Sequence, residues 1–135
     1  MNTSLSRRLF LALLGAIVVC TISCGDYAIQ LPRGYSLVRV YSGTLEISRP
    51  DRGMVIPATV DGYAVVGSLI IGHTSLAREE PERDLSKPGY FIIDTQSNGV
   101  KQSLDKNSWL ESLKLLGIMG EPKLHRPSRF DKNYR

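Results

Sequence analysis

The chain has 135 residues, 42% of them hydrophobic, and a formal net charge of +4. That length suits one domain, and two cysteines exclude a disulfide-dense scaffold. The positive excess sits at the two ends, while residues 25–120 hold ten basic against eleven acidic groups; a balanced domain of this kind lacks the clustered basic face that nucleic-acid binding requires.

The first 23 residues predict an export signal. Met1–Arg8 carries Arg7 and Arg8 and no acid, Leu9–Ile22 is apolar apart from Gly15 and Thr21, and charge returns at Asp26. A basic start, a short apolar core and small residues at the exit make a secretory leader. A membrane span needs about 20 apolar residues, and this run is shorter. Thr21-Ile22-Ser23-Cys24 resembles the lipobox of bacterial lipoproteins, with threonine where leucine is usual. The resemblance implies cleavage before Cys24, acylation of its thiol and a membrane-anchored envelope protein. Ser6-Arg7-Arg8-Leu9-Phe10-Leu11 also resembles the twin-arginine export motif, with Ala12 in place of its lysine. The strong apolar core favours general export. With Cys20 inside the leader and Cys24 at the cut, the mature domain has no disulfide and depends on its apolar core.

Residues 24–34 are expected to be a lipidated N-terminus and tether, because Pro32 and Gly34 discourage regular structure. A globular domain is expected over 35–118. Tyr35–Tyr41, rich in β-branched and aromatic residues, predicts a strand. Thr44–Ser48 alternates, with Leu45 and Ile47 on one face, so a hairpin turns at Ser42-Gly43. Arg49–Gly53 has turn composition, and Met54–Ile56 is a short strand stopped by Pro57. Gly62–His73 is the most apolar stretch; it fits one buried strand bent at Gly67, or two strands meeting there.

Thr74–Pro88 reads as a long charged loop containing Arg78, Glu79, Glu80, Glu82, Arg83, Asp84 and Lys87. Loops of that length are uncommon in compact domains without a function. Tyr90–Asp94 predicts a central strand, Thr95–Gly99 a turn and Val100–Leu104 its returning partner. Ser108-Trp109-Leu110-Glu111 has the spacing of a capping box, so a helix is expected from Ser108 to Leu116 with Gly117 as its stop. Leu110, Leu113 and Gly117 share a face, with Trp109 and Leu116 nearby, so the helix should pack on the sheet. Residues 119–135, with Pro122, Pro127 and five basic residues against two acidic, are expected to be a disordered basic tail able to rest on anionic lipid. Gly-Tyr recurs at 34–35, 62–63 and 89–90, a spacing that a repeated structural unit or common strand-entry chemistry would both produce. The fold expected is α+β: one antiparallel sheet of five to seven strands with a C-terminal helix on one face.

Candidate chemistry is sparse. The mature chain has two histidines, His73 and His125, and no cluster with metal-ligand spacing. His73, expected at a sheet edge, adjoins Thr74 and Ser75 without a nucleophile-elbow motif. Asp94 at a strand end is the best isolated acid, although ordering the following turn explains it more simply. Arginines and a lysine interleave the acids of the charged loop, which predicts a solvated surface rather than a catalytic pair. No glycine-rich phosphate loop or dinucleotide fingerprint occurs, so no cofactor is expected.

The pattern Asp26-Tyr27, Leu31-Pro32-x-Gly34-Tyr35-x-Leu37-Val38-Arg39, Ile56-Pro57 and Tyr90–Thr95 resembles a family of small bacterial lipoproteins of unknown function. The resemblance implies an envelope location and no activity. The leading expectation is therefore a non-enzymatic module, anchored through Cys24, that binds an envelope protein through Arg78, Glu79, Glu80, Glu82, Arg83 and Asp84. An immunity or inhibitor protein, whose acidic loop plugs a basic active site, is the alternative. An envelope hydrolase using His73 or Asp94 is a third.

Overall fold

A computed structural model describes residues 27–39, 44–56, 59–75 and 87–128. Eight strands form two four-stranded antiparallel meanders, β1-β2-β3-β4 and β5-β6-β7-β8, followed by one helix. The fold is α+β with a helix packed on a sheet, as expected, but the strands divide between two sheets instead of sharing one.

The first sheet comprises β1 (Ala28–Gln30), β2 (Ser36–Arg39), β3 (Leu45–Arg49) and β4 (Gly53–Ile56). Its register aligns Ile29, Leu37, Ile47 and Ile56 in one row, and all four are buried. Ser36 and Ser48 face each other on the opposite side, with hydroxyls 3.3 Å apart. This is the alternation of a sheet with one dry face and one wet face. The tether expected over 24–34 is corrected by β1 and by the short 3-10 turn Pro32–Gly34 that follows it. Ile29 and Leu31 are buried, and apolar burial holds a three-residue strand that local propensity would not have nominated.

The second sheet comprises β5 (Thr59–Val66), β6 (Leu69–Ser75), β7 (Gly89–Asp94) and β8 (Gly99–Leu104). The apolar stretch around Gly67 is two strands: Gly67 takes φ 58° in the turn between them, a conformation glycine adopts at no steric cost. Tyr63, Ile70, Phe91 and Ile93 join the inner row of the first sheet to form the principal core. Ala64, Leu69, Ile71 and Ile92 point the other way, into a second core with Trp109 and Leu113. Both faces of β6 and β7 are therefore covered, which is why their sequences read as unbroken apolar runs.

The cover is α1 (Lys106–Leu115). Its N-cap is Asp105, not the expected Ser108: the Asp105 carboxylate accepts from the Ser108 backbone N–H at 2.9 Å and the Ser108 hydroxyl at 2.8 Å. An ionised carboxylate is the stronger acceptor at a helix N-terminus, and it claims the cap. At the other end Gly117 (φ 88°) donates to the Lys114 carbonyl and Ile118 to that of Leu113, which closes the helix as the sequence predicts. Leu116, expected near the packed face, is exposed instead and forms the C-cap.

The disordered tail expected from 119 onward is corrected over residues 121–128. His125 forms a two-bond bridge with Tyr63 on the free edge of β5, at 3.0 and 3.1 Å. Lys106 pairs with Glu121 at 2.8 Å. Edge strands invite pairing, and Pro122 and Pro127 stop the segment from extending it. The three Gly-Tyr pairs do not mark one unit. Gly34-Tyr35 precedes β2, Gly62-Tyr63 lies within β5 and Gly89-Tyr90 opens β7. Tyr35 and Tyr63 lie in the principal core, whereas Tyr90 packs in the second.

Candidate functional site

The β5–β6 ladder breaks its register between Val60 and Gly62, so that Asp61 is the extra residue of a bulge. A bulge re-aims the side chain it carries. Here the Asp61 carboxylate meets His73 Nδ1 at 2.8 Å. His73 is on β6, an interior strand, and not at the sheet edge that the sequence suggested. Its side chain is 35% exposed and that of Asp61 41%, so the pair lies open at the margin of the outer face.

Behind it is a graded stack. His73 meets the ring of Tyr90, its cross-strand partner, edge-on at 4.6 Å. Tyr90 stacks on Trp109 at 4.5 Å. Trp109, fully buried, donates its indole N–H to the Phe91 carbonyl at 3.2 Å. A buried indole with its N–H satisfied is a stiff support, so the exposed imidazole rests on a fixed base.

A carboxylate at Nδ1 fixes the ring orientation and leaves Nε2 as the nitrogen through which the ring can meet another group. That is the base and the orienting acid of a nucleophilic triad. Among the described residues no serine, threonine or cysteine side chain bonds His73. The arrangement can accept a proton, or donate a hydrogen bond to a bound group.

Asp94 stands apart. It pairs in register with Leu69, four residues along β6 from His73, a separation of about 13 Å. Its carboxylate accepts from the Gln96 N–H at 3.0 Å. That bond, with the Ser97 hydroxyl and the nearby Arg33 charge, holds its pKa below the ordinary carboxylate value. Asp94 therefore orders the β7–β8 turn.

The two ends of the charged loop are held in place beside His73. The Thr74 hydroxyl donates to the Gly89 carbonyl at 3.1 Å and accepts the Gly89 N–H at 3.2 Å. Ser103 donates to the Lys87 carbonyl at 2.8 Å. Arg78, Glu79, Glu80, Glu82, Arg83 and Asp84 lie outside the described residues, as does Cys24.

A second polar cluster joins the two sheets at the opposite end of β7. The Arg49 guanidinium binds the Asp51 carboxylate and lies over the Tyr35 ring, 5.7 Å from its centre. The Tyr35 hydroxyl donates to Asn98 Oδ1 at 3.0 Å. Arg49 also holds Asp51 below the ordinary carboxylate range. Each group has a partner within the cluster, so it acts as a latch between layers.

Sequence reasoning missed Asp61. Its signal is the polar residue followed by glycine in Val60-Asp61-Gly62, which interrupts an otherwise apolar strand as bulges do. Among the described residues no three His, Cys, Asp or Glu side chains gather around a possible metal position, and no helix is long and apolar enough to cross a membrane. No family model, curated protein or solved structure matches the chain.

Proposed function

We propose that this chain is an exported envelope lipoprotein, fastened by acylation of Cys24, whose domain is a non-enzymatic binding module for an envelope protein. The observation that supports the binding reading is the stem at Thr74, Gly89, Lys87 and Ser103. It brings both ends of a charged segment together on a scaffold packed on both faces, next to the open Asp61–His73 pair. Recognition segments are commonly carried this way, on loops held by a rigid frame. Arg78, Glu79, Glu80, Glu82, Arg83 and Asp84 are the proposed contact residues.

Replacing residues 76–86 with a glycine-serine linker should abolish in-cell crosslinking to the envelope partner while leaving the melting temperature unchanged. Crosslinks that persist would overturn the binding reading. Metabolic labelling with a fatty acid should mark the wild type and not Cys24→Ala; label on both, or on neither, would overturn the anchor.

One observation favours a second reading. The Asp61–His73 pair supplies half of a hydrolytic constellation, which fits an envelope hydrolase. Turnover of an envelope polymer by the purified protein, lost in His73→Gln, would replace the binding reading with this one.

A further inference from the structure

We propose that Asn98-Gly99 is a latent modification site: the asparagine deamidates through a cyclic imide, and the β7–β8 turn and the inter-sheet latch withhold that reaction until the latch opens at Tyr35. A modified Asn98 is then a lasting record of that opening.

The chain has one Asn-Gly pair, and both of its residues are exposed. Glycine after asparagine favours this chemistry, because no side chain shields the attacking nitrogen. The Gly99 nitrogen adds to the Asn98 side-chain carbonyl carbon. The new C–N bond closes a five-membered imide, the bond to Nδ2 breaks, and the Gly99 proton leaves with that nitrogen as ammonia. Water then opens the ring at either carbonyl. One product is aspartate. The other is isoaspartate, whose main chain runs through the former side chain and is one methylene longer. Both carry a new carboxylate.

The fold keeps the reacting atoms apart. Asn98 has φ 59°, and the left-handed region open to a non-glycine residue there has ψ of about 30–60°. At that ψ the Gly99 nitrogen lies nearly opposite the Asn98 Cβ across the Cα–C bond. Ring closure needs both on the same side, so the peptide must rotate by about half a turn.

Two bonds oppose that rotation. The Tyr35 hydroxyl, from the other layer, donates to Asn98 Oδ1 at 3.0 Å. The Gly99 N–H donates to the Ser97 hydroxyl at 3.3 Å. Tyr35 is buried and accepts from the Arg49 guanidinium at 3.4 Å, so the carboxamide is tied to the latch. The Tyr35 bond polarises the carbonyl, but that has no effect while the nucleophile is turned away. Once modified, the turn does not return to its first state. Gly99 and Val100 pair with Asp94 and Ile93, and an extra methylene at position 98 works against this register.

Peptide mass spectrometry after incubation in mildly alkaline buffer reads the reaction, and an isoaspartyl methyltransferase tags the isoaspartyl product. The folded full-length chain is compared with the same chain unfolded in guanidinium chloride. Deamidation at Asn98 should be about ten- to a hundredfold slower in the folded chain, the population factor of a local opening. Tyr35→Phe keeps the buried ring and removes the hydroxyl; Ser97→Ala releases the Gly99 N–H. Each should raise the folded-state rate about fivefold, as the loss of one hydrogen bond would. Guanidinium well below the unfolding midpoint should leave the rate of the natural chain unchanged, because a local opening exposes little surface. This last measurement decides the matter even where a variant folds poorly. Equal rates in the folded and unfolded chain would mean that nothing guards the pair. A folded Tyr35→Phe that reacts at the rate of the natural chain would detach the guard from the latch. A rate that climbs with guanidinium in step with global unfolding would assign the protection to the whole fold. An unfolded chain that stays unmodified at Asn98 would remove the site. Each of these four results overturns the proposal.

Discussion

The outer faces of the two sheets are built in opposite ways. That of the first carries the half-buried Ser36 and Ser48, whose hydroxyls meet each other with no helix among the described residues over them. That of the second presents Ala64, Leu69, Ile71 and Ile92, which α1 covers with Trp109 and Leu113. The difference assigns the layers. A strand that alternates needs one neighbour, and a strand apolar on both sides needs two. It also locates the exposed chemistry, because Asp61 and His73 lie where the apolar cover stops.

The sharpest way to break this comparison is to remove the cover. Trp109→Ala deletes a fully buried side chain, its stack on Tyr90 and its bond to the Phe91 carbonyl. We expect a loss of about 3–5 kcal/mol. Ser48→Ala, on the wet face of the first sheet, should stay within about 0.5 kcal/mol. Chemical denaturation of both variants measures the contrast. Equal losses would mean that the second outer face is not a core.

Much of this asymmetry was legible in the sequence. The alternation of Thr44–Ser48 marked a half-buried strand, and the run from Tyr90 to Ile93 marked a central one. Trp109 and Leu113 identified the packing face of the helix. The partition into two sheets was not legible, since periodicity shows that a strand is buried without showing what buries it. β1 was hidden because three residues beside a proline carry no periodic signal. The Asp105 cap was hidden behind Ser108, which has the right spacing to Glu111 and loses to a carboxylate three residues earlier. The ordering of residues 121–128 depends on a bridge between Tyr63 and His125, 62 positions apart in the chain, and no local pattern encodes such a contact. At the candidate site His73 could be singled out, but its partner Asp61 reaches it only through a bulge.

A second way to sharpen the contrast is acid. The pKa of Asp51 is held down by hydrogen bonding to Arg49 in the inter-sheet latch, and that of Asp105 by the Ser108 N–H and hydroxyl at the start of the cover. A carboxylate whose folded pKa is depressed stabilises the fold fully above its unfolded value of about 3.9, and that contribution disappears as pH falls through the lower folded value. Stability should therefore decline below about pH 4. Asp51→Asn and Asp105→Asn should each flatten the decline, because each removes one group that protonates on that limb. Denaturant midpoints measured from pH 5 down to pH 2 follow the slope, and an unchanged acid limb in both variants would detach these bonds from folding.

The smallest effect on stability belongs to the margin. Asp61 and His73 are both partly exposed, and a solvent-accessible polar contact of this kind contributes about 0–1 kcal/mol. His73→Gln keeps a polar side chain against Tyr90 and should change the unfolding free energy by no more than about 1 kcal/mol. A pair that the fold hardly needs, stacked on a support that it needs greatly, has the distribution of stability expected of a site kept for contact rather than for packing. In-cell crosslinking of His73→Gln tests this, since the variant should fold like the wild type and lose partner capture. A large loss of stability would place His73 within the second core instead, and would make Asp61 a structural brace for the β5 bulge.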